Sequence, residues 1–157
     1  TDSYDSDGEV TATRPVPALT LDQLNDEAAK FTGDLMQVPP MVSAIKKGGV
    51  PLYKLARKGI EVERKPRLVH IYRFRFTEYQ EPVGSFRIAC TKGTYVRSIA
   101  HDLGHKLGCG AHLQTLRRHV SGRFDVEDAI QFEELVNLSQ ADLEKRVIPM
   151  FKLSAAS

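Results

Sequence analysis

CTKGTYVRSIAHDLGHKLGCGAHLQTLRR, Cys90 to Arg118, is the stretch from which the rest of the chain is read. It opens as the end of an apolar strand carrying Phe86, Ile88 and Cys90, and it turns through Thr91-Lys92-Gly93-Thr94. Val96, Ile99, Ala100, Leu103 and Leu107 then recur at helical spacing, which predicts a helix with Thr94 as N-cap and Gly108 as stop. A strand, a glycine turn and a helix start present free backbone N–H groups and a positive dipole end to solvent. Lys92 and Arg97 flank that end, so an anion is the natural guest, and the Tyr95 ring can stack on a base. The glycine spacing is not that of a Walker A phosphate loop. An ordinary strand-to-helix connection with surface cations accounts for these residues equally well.

Upstream, Thr20 begins a helix with a capping box to Gln23, and Leu21, Leu24, Ala28 and Phe31 form its apolar stripe up to Gly33. Residues 1–8 are turn-rich, and Glu9–Thr13 is expected to be a short strand. Asp34–Pro40 reads as a strand ended by paired prolines, followed by the apolar run Val42–Ile45 and a turn at Lys46–Gly49. Pro51 opens a short basic helix over Leu52–Lys58, closed by Gly59, and Ile60–Glu63 alternates like a strand. Arg67–Phe76 alternates more clearly, with Leu68, His70, Tyr72, Phe74 and Phe76 on one face and Val69, Ile71, Arg73 and Arg75 on the other. It pairs as a hairpin with Gly84–Cys90. Downstream, Ala111–Arg118 is expected to be a strand, and His119–Arg123 a loop or strand end. Two short helices follow at Phe132–Leu138 and Ser139–Arg146, then an apolar tail. The fold class is α/β of the α+β type, a mixed, mostly antiparallel sheet flanked by helices.

The 157 residues are 41% apolar and 27% charged, which suits one soluble domain with a core. Cys90 and Cys109 are the only cysteines, so no disulfide framework is implied and a reducing, cytoplasmic setting is expected. No apolar run is long enough to span a bilayer. The net charge of +2 conceals segregation. Residues 1–45 carry 8 acids and 2 bases, net −6; residues 46–75 carry 10 bases and 2 acids, net +8. Residues 76–123 carry 7 bases and 3 acids, net +4; residues 124–157 carry 7 acids and 3 bases, net −4. A basic middle interleaved with Tyr53, Tyr72, Phe74 and Phe76 suggests a polyanion partner, against the alternative of a solvated charged face.

His101 and His105 share a helix face, with Cys109 and His112 close behind, so zinc ligation is an alternative. Those four belong to no second ligand pair, and solvated histidines explain them more simply. Ser43, Ser98 and Ser121 have no evident base beside them, and no G-x-S-x-G occurs. Anion-binding parts are present without an obvious catalyst.

The opening stretch resembles a motif of the TruB-type tRNA pseudouridine synthases, C-[ST]-K-G-T-Y-[IV]-R, then D-L-G, then G-A-H ending in L-R-R. PPMVSAIKKGGVPLYKLARKGIEV, Pro39 to Val62, is similar to the family's P-P-x-[YF]-S-A-[LIVM]-K-x-x-G-x-x-L-Y-x-x-A-R-x-G, with Val42 in place of the aromatic. TDSYDSDG at the start is similar to T-x-T-x-D-x-x-G. The matches cover residues 1–125, in the family's order.

The resemblance implies isomerisation of the T-loop uridine at tRNA position 55, with base flipping and no metal or organic cofactor. It implies that Tyr95 packs by the target base, that Arg97 pairs with the catalytic aspartate, and that Leu116 lines the uracil pocket. Lys46, Tyr53 and Arg57 match an RNA-facing motif; Lys54 and Lys58 beside them, and Lys92, fit phosphate contacts. The family's catalytic aspartate lies in a G-x-L-D-P segment, and no G-x-L-D-P occurs in this sequence. The 157 residues are therefore expected to be part of a catalytic domain, without the family's C-terminal RNA-binding (PUA) extension, inactive alone and prone to self-association. A stand-alone RNA-binding or chaperone module is the alternative.

Overall fold

The structure, a computed structural model, describes residues 1–154, apart from the side chains of Lys47, Leu153 and Ser154. The chain forms two units, one from Thr1 to Leu116 and one from Arg117 onward. In the first, helix α1 (Leu21–Ala29) leads into strand β1 (Gly33–Gln37). A small arm follows, made of β2 (Lys46–Lys47), β3 (Val50–Pro51) and the short helix α2 (Leu52–Ala56). The long hairpin β4 (Arg67–Gln80) and β5 (Val83–Cys90) then feeds helix α3 (Val96–Lys106). The sheet order is β1-β4-β5 and every pairing in it is antiparallel. Among the described residues the one parallel contact is a single bridge between Asp5 and Leu113.

Helices α1 and α3 cover one face of this sheet. Leu24, Ala28 and Phe31 from α1, Ile71, Phe74 and Phe76 from β4, and Ile99 and Leu103 from α3 make the core. The capping box of α1 is as expected: the Gln23 N–H donates to Thr20 Oγ1, and the Thr20 N–H donates to Gln23 Oε1. The strand faces of β4 are not as expected. Val69 and Ile71 are buried with Phe74 and Phe76, while Leu68 and Tyr72 are exposed. Bulges between Ile71 and Arg73, and between Phe76 and Glu78, each shift the pairing by one residue. Such a shift turns every later side chain to the opposite face. The Asn25 side-chain amide serves the second bulge, accepting from the Phe76 N–H and donating to its carbonyl.

Other expectations fail for related reasons. Glu9–Thr13 and Ile60–Glu63 are not strands, and Ala111–Arg118 contributes only the bridge at Leu113. Alternation alone does not make a strand without a partner strand to complete its hydrogen bonds. The basic helix ends at Ala56, with Gly59 at φ +68 closing the turn.

In the second unit, β6 (Val120–Ser121) and β7 (Phe124–Asp125) form a hairpin across Gly122. A single 3-10 turn (Val126–Asp128), α4 (Phe132–Leu135), α5 (Gln140–Arg146) and α6 (Met150–Ser154) follow. Ser139 caps α5 by accepting from the Asp142 N–H, as its position predicts. No described helix is long and apolar enough to cross a membrane.

Candidate functional site

The expected cap on α3 is Thr94, but the structure places the N-cap at Tyr95, with no side-chain cap of its own. The Thr94 hydroxyl instead donates to the Thr91 carbonyl, tightening the turn. Tyr95 is held from β1. The buried Gln37 side chain accepts from the Tyr95 N–H at 2.8 Å and donates to its carbonyl at 3.1 Å. A glutamine at the last position of β1 therefore fixes the residue from which α3 starts, and the link joins positions 58 apart in sequence.

Two residues beyond Tyr95, Arg97 is four-fifths buried, and so is Asp5, its partner at 2.5 Å. A second guanidinium nitrogen donates to the Val42 carbonyl. Val42 thus serves the site through its backbone, whatever its side chain. Asp5 is braced in turn by the Ser3 hydroxyl. Burial pushes the Asp5 carboxyl up, but the Ser3 hydrogen bond and the Arg97 guanidinium outweigh it and hold the group below its usual value near 3.8. A carboxyl depressed on folding stabilises the fold above its unfolded pKa, and that contribution is lost as pH falls through the folded value. Asp5→Asn is therefore expected to flatten the loss of stability between about pH 5 and pH 3. Urea midpoints of both proteins across that range check it, and parallel acid limbs would count against the pair.

The Tyr95 ring lies beside this pair, with the Arg97 guanidinium carbon 6.0 Å from its centroid. The structure thus places Tyr95 beside Arg97. The acid at Arg97 within this chain is Asp5, to which the sequence motifs assign no role. Its signal is the T-x-T-x-D-x-x-G match, in which Asp5 is the aspartate and the Thr1 and Ser3 hydroxyls hold it in the turn.

The basic residues group on the arm. Its base closes through hydrogen bonds from Tyr53 N–H to the Ser43 carbonyl and from Leu52 N–H to the Ile45 carbonyl. Lys46, Lys54, Arg57 and Lys58 are exposed, and the Arg57 guanidinium lies 5.6 Å from the centre of the Tyr53 ring. Lys46 also rims a cavity of about 250 Å³, whose apolar wall is Pro39, Ile45 and Leu52 and whose other cations are Arg64, Lys65 and Arg67. Lys92 is exposed in the turn before α3. Leu116 is 58% exposed, so core packing does not explain it. His101 and His105 do not converge with a third ligand; among the described residues no three His, Cys, Asp or Glu side chains are grouped to hold a metal.

The start of α3 thus gathers a largely buried arginine–carboxylate pair, an aromatic ring and, through the Val42 carbonyl, the base of the basic arm. The family models give the class. Residues 1–96 match the TruB family pseudouridylate synthase N-terminal domain, and residues 97–153 match the tRNA pseudouridylate synthase B C-terminal domain. The chain belongs to the TruB family of pseudouridylate synthases. It is 52% identical over 152 residues to tRNA pseudouridine synthase B of Opitutus terrae, covering 97% of this chain and 63% of that protein. It is 44% identical over 150 residues to the protein of that name from Dechloromonas aromatica, covering 96% of this chain and 50% of that one. The chain thus spans between half and two thirds of the length of these relatives. A chain in a solved Cbf5–Nop10–Gar1 complex superposes with a TM-score of 0.68 at 28% identity, covering 87% of this chain and 39% of its own length.

Proposed function

We propose that this chain is part of a tRNA pseudouridine synthase that isomerises the T-loop uridine at tRNA position 55 in the cytoplasm. The observation that supports this most is the Arg97 guanidinium, held between Asp5 and the Val42 carbonyl beside Tyr95. Two of its branches are occupied, and a guanidinium has further N–H groups to orient a second carboxylate. On this reading that carboxylate is the nucleophile and comes from residues outside these 157. Tyr95 packs on the flipped uracil and Leu116 lines its pocket. Lys46, Tyr53, Lys54, Arg57, Lys58 and Lys92 meet the RNA. No cofactor is needed, because the bond broken and the bond made join the same sugar and base.

The test is pseudouridine formation by the full-length protein in a tRNA transcript. Product is expected with uridine at position 55 and none when that base is cytidine. Product from the cytidine transcript would overturn the position. The 157-residue chain alone is expected to give none, and product from it would refute the need for an outside nucleophile. The arm makes a separate claim. Lys54→Ala or Lys58→Ala should weaken tRNA binding and reduce the slope of log affinity against log salt by about one for each phosphate left without its cation. An unchanged slope in filter-binding titrations would place those lysines off the RNA.

A further inference from the structure

Two consecutive residues of the N-terminal loop meet two residues one turn apart on α3. Asp5 pairs with Arg97, and the Tyr4 ring stacks on His101, centroids 3.8 Å apart and planes within 20°. Tyr4 has φ +69, the only described residue other than glycine in the left-handed region. A bulky side chain avoids that conformation unless its surroundings enforce it. The Tyr4 carbonyl also accepts from the Leu113 N–H at 2.9 Å, and the Ser6 N–H donates to the Leu113 carbonyl at 3.0 Å. These backbone bonds anchor the loop on both sides of Asp5, the Ser3 hydroxyl braces its carboxylate from within the loop, and Tyr4 carries the torsions between Ser3 and Asp5. The ring stacked on Tyr4 is His101. It is half-buried, and burial, opposed by Asp102, holds its imidazole below the ordinary value, so at neutral pH it is an uncharged plate.

We propose that His101 is a positioning residue: by stacking on Tyr4 it locks the left-handed turn that aims the Asp5 carboxylate at Arg97. Nothing in the proposed chemistry needs a proton from His101, and its role is carried by the face of the ring. The functional consequence rests on the reading of Arg97 given above.

The test follows the Asp5 carboxyl by carbon NMR titration of this chain. His101→Ala is expected to raise its pKa toward the ordinary value, because its hold on Arg97 loosens. His101→Phe, which keeps the plate, is expected to leave it near wild type. If His101→Ala does not fold, Tyr4→Ala removes the other half of the stack from a surface loop and should give the same rise, with Tyr4→Phe as its control. An Asp5 titration unmoved by the alanine variants, or moved as far by phenylalanine as by alanine, overturns the proposal. In the full-length protein, His101→Ala should lower kcat roughly tenfold or more with little change in KM, and His101→Phe should restore it. A shifted Asp5 with unchanged turnover would leave the latch standing and refute the catalytic reading of the Arg97 site.

Discussion

Arg97→Ala in the full-length protein is expected to lower turnover by roughly 100-fold or more, the scale on which a preorganised charged donor acts in a closed site. The reason lies in what the guanidinium holds. It ties the N-terminal loop through Asp5 and the base of the arm through Val42, while lying beside Tyr95. Removing it leaves a largely buried carboxylate without its cation, so the Asp5 pKa should rise as well. Lysine supplies the charge but not the fork, and a single ammonium does not reproduce the planar geometry that meets the carboxylate and the carbonyl together. Arg97→Lys should therefore recover only part of the activity. Single-turnover rates with tRNA, and the Asp5 titration in the same variants, check both halves. Near-normal turnover in Arg97→Ala would remove Arg97 from the proposed mechanism.

Gly104→Ala carries the largest expected effect on stability. A β-carbon at Gly104 would lie 2.2 Å from the Ala111 backbone nitrogen and 2.3 Å from the Gly110 carbonyl carbon. Those neighbours are main-chain atoms and do not swing aside as a side chain does. Their approach is fixed by the hydrogen bond from the Gly110 N–H to the Gly104 carbonyl at 2.9 Å. The expected cost is about 2–3 kcal/mol, typical of forced overpacking. Gly108→Ala, in the same unit, is the natural comparison, because nothing lies within 4 Å of a β-carbon there and only its φ of +81 opposes a side chain, at about 1 kcal/mol. All five tyrosines, at 4, 53, 72, 79 and 95, lie in the first unit, so the tyrosine band of the near-ultraviolet dichroism during denaturation follows that unit. A Gly104→Ala protein as stable as wild type would mean that the turn at 110–111 is free to move. Because the same segment leads to Leu113, the substitution should also disturb the loop that carries Asp5.

Features governed by neighbours in sequence are legible without the fold. The Thr20–Gln23 box, the Ser139 cap and the Gly108 stop each depend on a few adjacent residues, and each is found. Features that depend on a partner far along the chain are not. The strand at 67–76 shows regular alternation, yet its inward face changes where a bulge adds a residue, and a bulge is a property of the pair of strands. Thr94 is an ideal cap by composition, but the cap position goes to Tyr95 because Gln37 arrives from β1 to hold it. The sequence pattern of Ala111–Arg118 resembles a strand, and among the described residues only Leu113 in it forms a β-bridge. The site follows the same division. Tyr95 and Arg97 are legible as neighbours in one motif, whereas Asp5 reaches Arg97 across 92 positions.

Asn25 and Gln37 share a chemical vulnerability. Each uses one side-chain amide to imitate a stretch of missing main chain, donating to a carbonyl and accepting from the N–H of the same residue, Phe76 or Tyr95. Hydrolysis of either amide, or a one-base change to the matching acid, preserves shape but removes the donor and points a negative oxygen at a carbonyl. Isosteric replacement is thus the worst kind at these two positions. Conversion of either amide to its acid would therefore act at the sheet's bulge or at the start of α3.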